Sequence, residues 1–197
     1  YAARMEHETH DMLYRRLPYF VDALRPIQTI RSIEVSNDKA IDKYTLRSSV
    51  PISSGRFGSI YIGTADNVVQ LAIKRVSKAK AMDFRAAHRI ANEVAMLHRI
   101  PMSQRHEGIV YYEDVMMTRS ELIFVMDLGT IDLFEFMKRS AGKIDTAVAL
   151  EFTKTLVSAL AHTHERRFAH RDIKSENIMV FEENGAYRAK LIDFGMC

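Results

Sequence analysis

"FAHRDIKSENIMV", Phe168–Val180, places a His, an Arg, two acids, a Lys and an Asn within eight consecutive positions. Apolar residues flank that run on both sides, so a polar loop sits between two segments that read as buried. Asp172 and Asn177 are five apart, and Lys174 follows the Asp by two. An Asp can accept a hydroxyl proton, a nearby Lys can offset charge on a transferring phosphoryl group, and an Asn carbonyl oxygen is a hard ligand suited to Mg²⁺. A second apolar run, "LIDFG", Leu191–Gly195, ends by presenting the carboxylate of Asp193. A chance match to His-Arg-Asp-x-Lys-x-x-Asn in a chain of this length has odds of roughly one in ten thousand at average residue usage. Coincidence is therefore a poor account.

Outward from that loop, the bulk properties restrict the alternatives. Across 197 residues, 47% are hydrophobic and 27% charged, ordinary for a globular protein with a sizeable core. The net charge of +3 comes from intermixed acids and bases, with no long basic run, which gives little support to nucleic-acid binding and none to a polybasic anchor. No apolar stretch reaches the roughly 18–20 residues of a membrane span. The first residues, "YAARMEHETHDMLYRRL", lack an initiator Met and are too polar for the core of a signal peptide. The single cysteine, Cys197, excludes an internal disulfide and a Cys-rich metal site, and fits a reducing compartment. His162 and His164 are two apart, which points them to different faces of a helix.

The pattern along the chain predicts an α+β layout in two lobes. Residues 1–43, interrupted by Pro18 and Pro26, predict one or two short helices packed as an extension. From Tyr44 to Val76, "YTLRSSVPI", "SIYIGTA" and "NVVQLAIKRV" predict strands, with the turn "SSGRFG" between the first two. "AMDFRAAHRIANEVAMLHRI" repeats apolar residues at helical spacing until Pro101. "IVYYEDVMM" and "ELIFVMDL" predict a strand pair, and "TIDLFEFMKRSAG" a short helix closing on a Gly. "DTAVALEFTKTLVSALAHTHERR" predicts a long amphipathic helix capped by Asp145 or Thr146. "NIMVF" and "RAKLI" predict two last strands around the turn "EENGA".

Two further constellations bear on chemistry. In "ISSGRFGSI" the glycines Gly55 and Gly58 can bring backbone N–H groups close to an anion, though a plain hairpin turn explains them as well. Lys74 ends "LAIK" and shares a strand face with Ala72, while Leu71 and Ile73 mark the other face as buried. A small residue beside an ammonium leaves room for a flat ring, and a partly buried ammonium needs an anionic partner. Glu93, next to Val94 on the predicted helix, is the candidate; an ordinary exposed Glu is the alternative.

Taken together and in this order, residues 44–197 resemble a eukaryotic-type protein kinase of the serine/threonine class. The resemblance implies a bilobal fold, with residues 44–129 as the β-rich N-lobe and hinge and residues 130–197 as the first part of the helical C-lobe. "ISSGRFGSI" resembles the glycine-rich loop, with Ser53 where the first Gly is usual, which implies ATP contacts from Ile52, Ser53, Gly55, Phe57, Gly58 and Ile60. "LAIK" and "NEVAML" make Lys74 the phosphate ligand and Glu93 its ion-pair partner. "HRDIKSEN" makes Asp172 the base, places Lys174 near the γ-phosphate and puts Asn177 on a metal ion. "DFG" makes Asp193 the main Mg²⁺ ligand.

"FVMDLG" resembles the hinge, with Met126 as gatekeeper, Asp127 to Gly129 bonding adenine through their backbone and Asp132 reaching the ribose. Ile52, Ile60, Ala72 and Met179 would enclose the adenine ring, although plain core packing accounts for them equally well. Leu97, Tyr112, His170 and Phe194 would form the apolar stack between lobes. Lys174 two residues after Asp172 resembles the serine/threonine class, and Arg171 implies a site for an activation-loop phosphate supplied by an upstream kinase. "DFGMC" is a pattern also seen in some kinases of the cyclic-nucleotide-dependent group.

The resemblance thus implies ATP and Mg²⁺ as cofactors, a protein substrate with a Ser or Thr acceptor, and an intracellular, cytoplasmic or nuclear, setting. The chain stops two residues after Gly195. It is therefore expected to be the first two-thirds of a kinase domain, with weak or absent transfer activity by itself. Two rival readings remain: a kinase-fold binder or scaffold without transfer, and a phosphotransferase acting on a small molecule. Retention of Lys74, Asp172 and Asp193 argues against the first rival, and "HRDIKSEN" argues against the second.

Overall fold

β-branched and aromatic residues crowd the segments between Ala40 and Asp127, and such side chains favour a pleated surface that is covered by other groups. In the computed structural model, which describes residues 30–35, 40–56, 58–66, 68–80 and 84–197, they form one eight-stranded sheet. Its strands are β1 (Arg31–Ser32), β2 (Ala40–Ile41), β3 (Tyr44–Leu46), β4 (Ser53–Ser54), β5 (Gly58–Ala65), β6 (Val69–Ser77), β7 (Tyr112–Met117) and β8 (Glu121–Asp127). The spatial order is β1-β7-β8-β6-β5-β3-β2, with β4 beside β5. Every pairing is antiparallel except β1 with β7, which is parallel.

The sheet curls until its ends meet. On β1, the Arg31 guanidinium lies 2.8 Å from Asp42, just past β2, and 3.1 Å from Asp114 on β7. The Tyr44 hydroxyl donates to the same Asp114 carboxylate at 3.3 Å. Inside the curl, Ile41, Tyr44, Leu46, Leu71, Ile73, Met116, Ile123 and Val125 form a closed apolar cluster. The strand part of the N-lobe thus reaches back past Tyr44: the described portion of the expected extension carries two strands. The short helices predicted over 1–43 fall largely on residues outside the described set. A short strand such as β1 gives little periodic signal in the sequence, because two residues cannot display alternation.

Helix α1 (Phe84–Arg99) packs on the outer face of the sheet. Below the hinge come β9 (Ile131–Asp132), α2 (Leu133–Arg139) and α3 (Thr146–Glu165), then β10 (Ile178–Glu183) and β11 (Ala186–Leu191). The cap of α3 is Asp145, whose carboxylate accepts from the N–H groups of Ala147 and Val148 at 2.9 and 3.3 Å. Strands β9, β10 and β11 form a small antiparallel sheet.

A second apolar cluster spans both lobes, from Val76, Val94, Tyr112 and Phe124 above to Phe152, Phe168, Val180, Leu191 and Phe194 below. The backbone reinforces it, since Val110 N–H donates to Leu191 O and Leu191 N–H to Gly108 O at 2.9 and 2.8 Å. Gly108 is required there, because a Cβ would collide with Thr155 on α3. Residues 108–110 thus join the lobes in addition to the hinge.

Candidate active site

Lys74 sits on β6 with Leu71, Ala72 and Ile73 all buried, so the strand is covered on both faces. The sequence pattern suggested one covered face. The curl supplies an interior for Leu71 and Ile73, and α1 covers the other side. An ammonium held there must meet a negative charge. Glu93, 4% exposed on α1, places both carboxylate oxygens 2.7 Å from Lys74 Nζ. The Tyr112 hydroxyl donates a third bond to Glu93 Oε1 at 2.8 Å, and burial together with this carboxylate pushes the phenol well above its ordinary pKa. The exposed-Glu alternative is thereby excluded. The hydroxyl of Tyr112 was not legible in advance, since its neighbours suggested only an apolar role.

The lower half of the site is built on loops. Asp172 Oδ2 accepts from Lys174 Nζ at 3.0 Å and from Asn177 Nδ2 at 2.9 Å; Asn177 also donates to Asp172 O at 2.8 Å. The Lys174 bond is the leading cause that holds the Asp172 carboxyl below its usual range, so it is ionised at neutral pH. The Asn177 amide nitrogen is thus used twice on Asp172, which leaves its side-chain carbonyl oxygen as the group available to a ligand. The Ile192 N–H donates to Asn177 O at 3.0 Å, which draws the residue before Asp193 onto the catalytic loop.

His170, 1% exposed, ties these parts together. One ring nitrogen pairs with Ile192 O at 2.9 Å, and its ring lies 4.7 Å from that of the fully buried Phe194. The next two positions of note carry positive φ without being glycine: Arg171 at 60° and Asp193 at 57°. Such conformations cost free energy and persist only where surrounding contacts hold them, as at functional sites. Of the expected stack, His170 and Phe194 are in ring contact, Tyr112 belongs to the same apolar cluster as Phe194 with its ring against Phe124, and the Leu97 side chain lies outside the described residues.

The glycine-rich turn is a tight hairpin. Ser53 pairs with Ile60 and Ser54 with Ser59, and the Gly55 N–H donates to Gly58 O at 2.8 Å. Gly58 is required because a Cβ would collide with the Arg75 carbonyl on β6, a close approach between strands. Phe57 lies outside the described residues. Ile52, 56% exposed, stands at the hairpin base as an apolar side chain with an uncovered face, and its N–H donates to Ile60 O at 2.8 Å. Ala72 lies opposite Met126 across β6 and β8. Gly129 lies against Met179, where a Cβ would overlap the methionine side chain.

At the hinge, the Asp127 N–H donates to Tyr111 O at 3.0 Å and is already taken. Its carboxylate accepts from Lys190 at 2.6 Å and from Tyr111 N–H at 3.2 Å, bracing the hinge from behind. Asp132 Oδ1 caps α2 by accepting from Glu135 N–H at 2.8 Å. A cavity of about 570 Å³ behind the hinge is lined by Val94, Ile109, Tyr111, Asp127 and Lys190 among others. Lys74, Asp172, Asn177 and Asp193 do not line it.

Hard oxygen donors suit Mg²⁺, and the donor types here fit that ion: the Asp193 carboxylate and the side-chain carbonyl of Asn177, on segments joined by a backbone bond. A model of the protein kinase domain matches residues 46–197. The chain belongs to the protein kinase family. It is similar to CBL-interacting serine/threonine-protein kinase 19 of Arabidopsis thaliana, 30% identical over 180 residues covering 89% of this chain and 35% of that protein. It is also similar to CBL-interacting protein kinase 19 of Oryza sativa subsp. japonica, 35% identical over 149 residues, 74% of this chain and 27% of that one. CBL-interacting serine/threonine-protein kinase 14 of Arabidopsis thaliana is 32% identical over 146 residues, 74% of this chain and 31% of its own length. The chain spans about a third of the length of these relatives.

Proposed function

We propose that this kinase-family chain carries the catalytic groups of an ATP-dependent serine/threonine protein kinase. The observation that carries the reading is the assembled pair, Lys74 held at 2.7 Å by both oxygens of Glu93, in the same molecule as a fully buried Phe194. A lysine so placed can present its charge to phosphates without swinging. Asp172, ionised and oriented by Asn177, accepts a hydrogen bond from the acceptor hydroxyl and takes its proton as the new O–P bond forms and the γ-phosphorus separates from the bridging oxygen, which leaves on ADP. Lys174, beside it, offsets charge on the transferring phosphoryl group. Asn177 and Asp193 would hold Mg²⁺, which neutralises phosphate charge when bound.

The nucleotide base would lie between Ile52, Ile60 and Ala72 above and Met179 below, with Gly129 at the hinge. Ser or Thr in a protein is the proposed acceptor, supported by Lys174 following Asp172 and by the names of the relatives. ATP as donor implies an intracellular setting. Those names also describe interaction with CBL, and a protein partner for this chain, like an upstream kinase acting through Arg171, is part of the proposal.

The test is phosphoryl transfer from ATP to a Ser/Thr peptide library by the full-length protein. Wild type is expected to label Ser and Thr peptides, and Asp193→Asn to abolish labelling. Wild-type labelling by Asp193→Asn would defeat the mechanism, and nucleotide binding without any transfer by wild type would favour the scaffold reading.

A further inference from the structure

Arg89 stands four residues before Glu93 on α1, so both side chains leave the same face of the helix. Glu93 reaches up to Lys74, and Arg89 reaches the Asp-Phe-Gly segment. Its Nη2 lies 3.3 Å from Asp193 Oδ2. The other oxygen, Oδ1, accepts from the Gly195 N–H at 3.3 Å. Each oxygen of the principal metal-binding carboxylate therefore already has a donor. Helix and loop meet a second time where Asn92 Nδ2 donates to Gly195 O at 3.0 Å. A Cβ at Gly195 would stand 3.2 Å from the Arg89 Cβ and 3.3 Å from its Nε, so the arginine lies close against the loop there. Arg89 is also among the charges acting on Asp172, which places it beside both halves of the lower site.

We infer that Arg89 is a positioning residue that holds Asp193 in the absence of a cation and must yield Oδ2 when a divalent cation binds. The inference rests on the kinase reading above. A guanidinium and a divalent cation cannot crowd one carboxylate oxygen without repelling each other, so metal loading is a competition that Arg89 opposes. The same arginine fixes the Asp193 carboxylate beside the catalytic loop beforehand, at the positive φ that this position needs. Side-chain exposure of 40% for Arg89 and 35% for Asp193 limits the strength of the tie.

The full-length protein is titrated with Mn²⁺ in the presence of a fluorescent ADP analogue, free Mn²⁺ being read by electron paramagnetic resonance and nucleotide by fluorescence. Arg89→Gln is expected to lower the Mn²⁺ concentration at half-saturation by about 1.5- to 5-fold, the range of an ion pair this exposed. Arg89→Lys, which keeps the charge, stays close to wild type. Asn92→Ala, which loosens helix from loop without changing charge, leaves the half-saturation unchanged. Nucleotide affinity in EDTA is the same in all of them. An unchanged or raised half-saturation in Arg89→Gln overturns the inference and leaves the kinase reading intact. An equal fall in Asn92→Ala overturns it too, since helix docking would then be the cause. Absence of nucleotide binding by wild type, with or without Mn²⁺, overturns both. Arg89→Met, which retains an unbranched stem against Gly195, replaces Arg89→Gln if that variant fails to fold.

Discussion

Lys74 and Asp172 serve one proposed reaction, but the molecule holds them by different means. Lys74 is on the most heavily paired part of the large sheet, and its partner Glu93 is 4% exposed with a buried tyrosine hydroxyl on it. Asp172 is on a loop, held by Lys174 and Asn177 within five residues of itself. The upper half is thus a long-range charge pair that exists only when sheet and helix are docked. The lower half is a local hydrogen-bonded knot that the loop makes by itself, and packing has only to hold it at His170 and Phe194. Damage to the lower half should therefore separate chemistry from stability, and damage to the upper half should lower both.

The sharpest separation is expected at Asp172. Asp172→Asn should lower transfer by about 10²–10⁴-fold, the range for loss of a general base, with little change in melting temperature. A large fall in melting temperature would mean that the loop carries fold stability and would erase the contrast. Glu93→Ala should damage both properties, lowering transfer because Lys74 loses the partner that positions it and lowering stability as well. It strands the Lys74 ammonium and the Tyr112 hydroxyl, and should cost about 2–3 kcal/mol, discounted from a fully buried pair because Lys74 is partly exposed. Denaturant titration of Glu93→Ala, Tyr112→Phe and the double variant should return a coupling of about 1 kcal/mol for the hydroxyl bond, and strict additivity would refute it.

The joint between the halves gives the smallest effect. In the segment that leads to residues 108–110, His106 pairs with Ser158 at 3.0 Å and accepts from the Gly108 N–H at 3.0 Å, with the His162 ring 5.2 Å away. Burial, and then His162, push the His106 pKa below its ordinary value of 6.5. A histidine depressed on folding favours the fold above its unfolded pKa, and that contribution is lost as pH falls below about 6.5 toward the folded value. Melting temperature measured from pH 8 to pH 5.5 should decline, and His106→Gln should shrink the decline. An unaltered decline in the variant would place the acid sensitivity elsewhere.

Much of the lower half was legible in the linear sequence. Asp172, Lys174 and Asn177 lie within one loop, and Asp193 follows an apolar strand, so residue type and spacing were enough to find them. The elements were legible where they are long, as with α3 and β6, because periodicity needs several turns or pleats to declare itself. β1 and β2 were missed for the converse reason. Arg89 offered one signal, its four-residue spacing from Glu93, but its target lies 104 residues away.

What the sequence determined alone was the inventory: which groups can accept a proton, bind a hard cation or meet a phosphate, and which of the longer segments become strands or helices. These follow from side-chain chemistry and local periodicity. Only the tertiary structure decided the pairings, with Glu93 on Lys74, Arg89 on Asp193, and Arg31 on both Asp42 and Asp114. It also gave Gly58 and Gly129 their reason, close approach to Arg75 and Met179. Such contacts depend on how far the sheet curls and how α1 is rotated against it. Those quantities come from the packing of many side chains at once, and no single stretch of the chain encodes them.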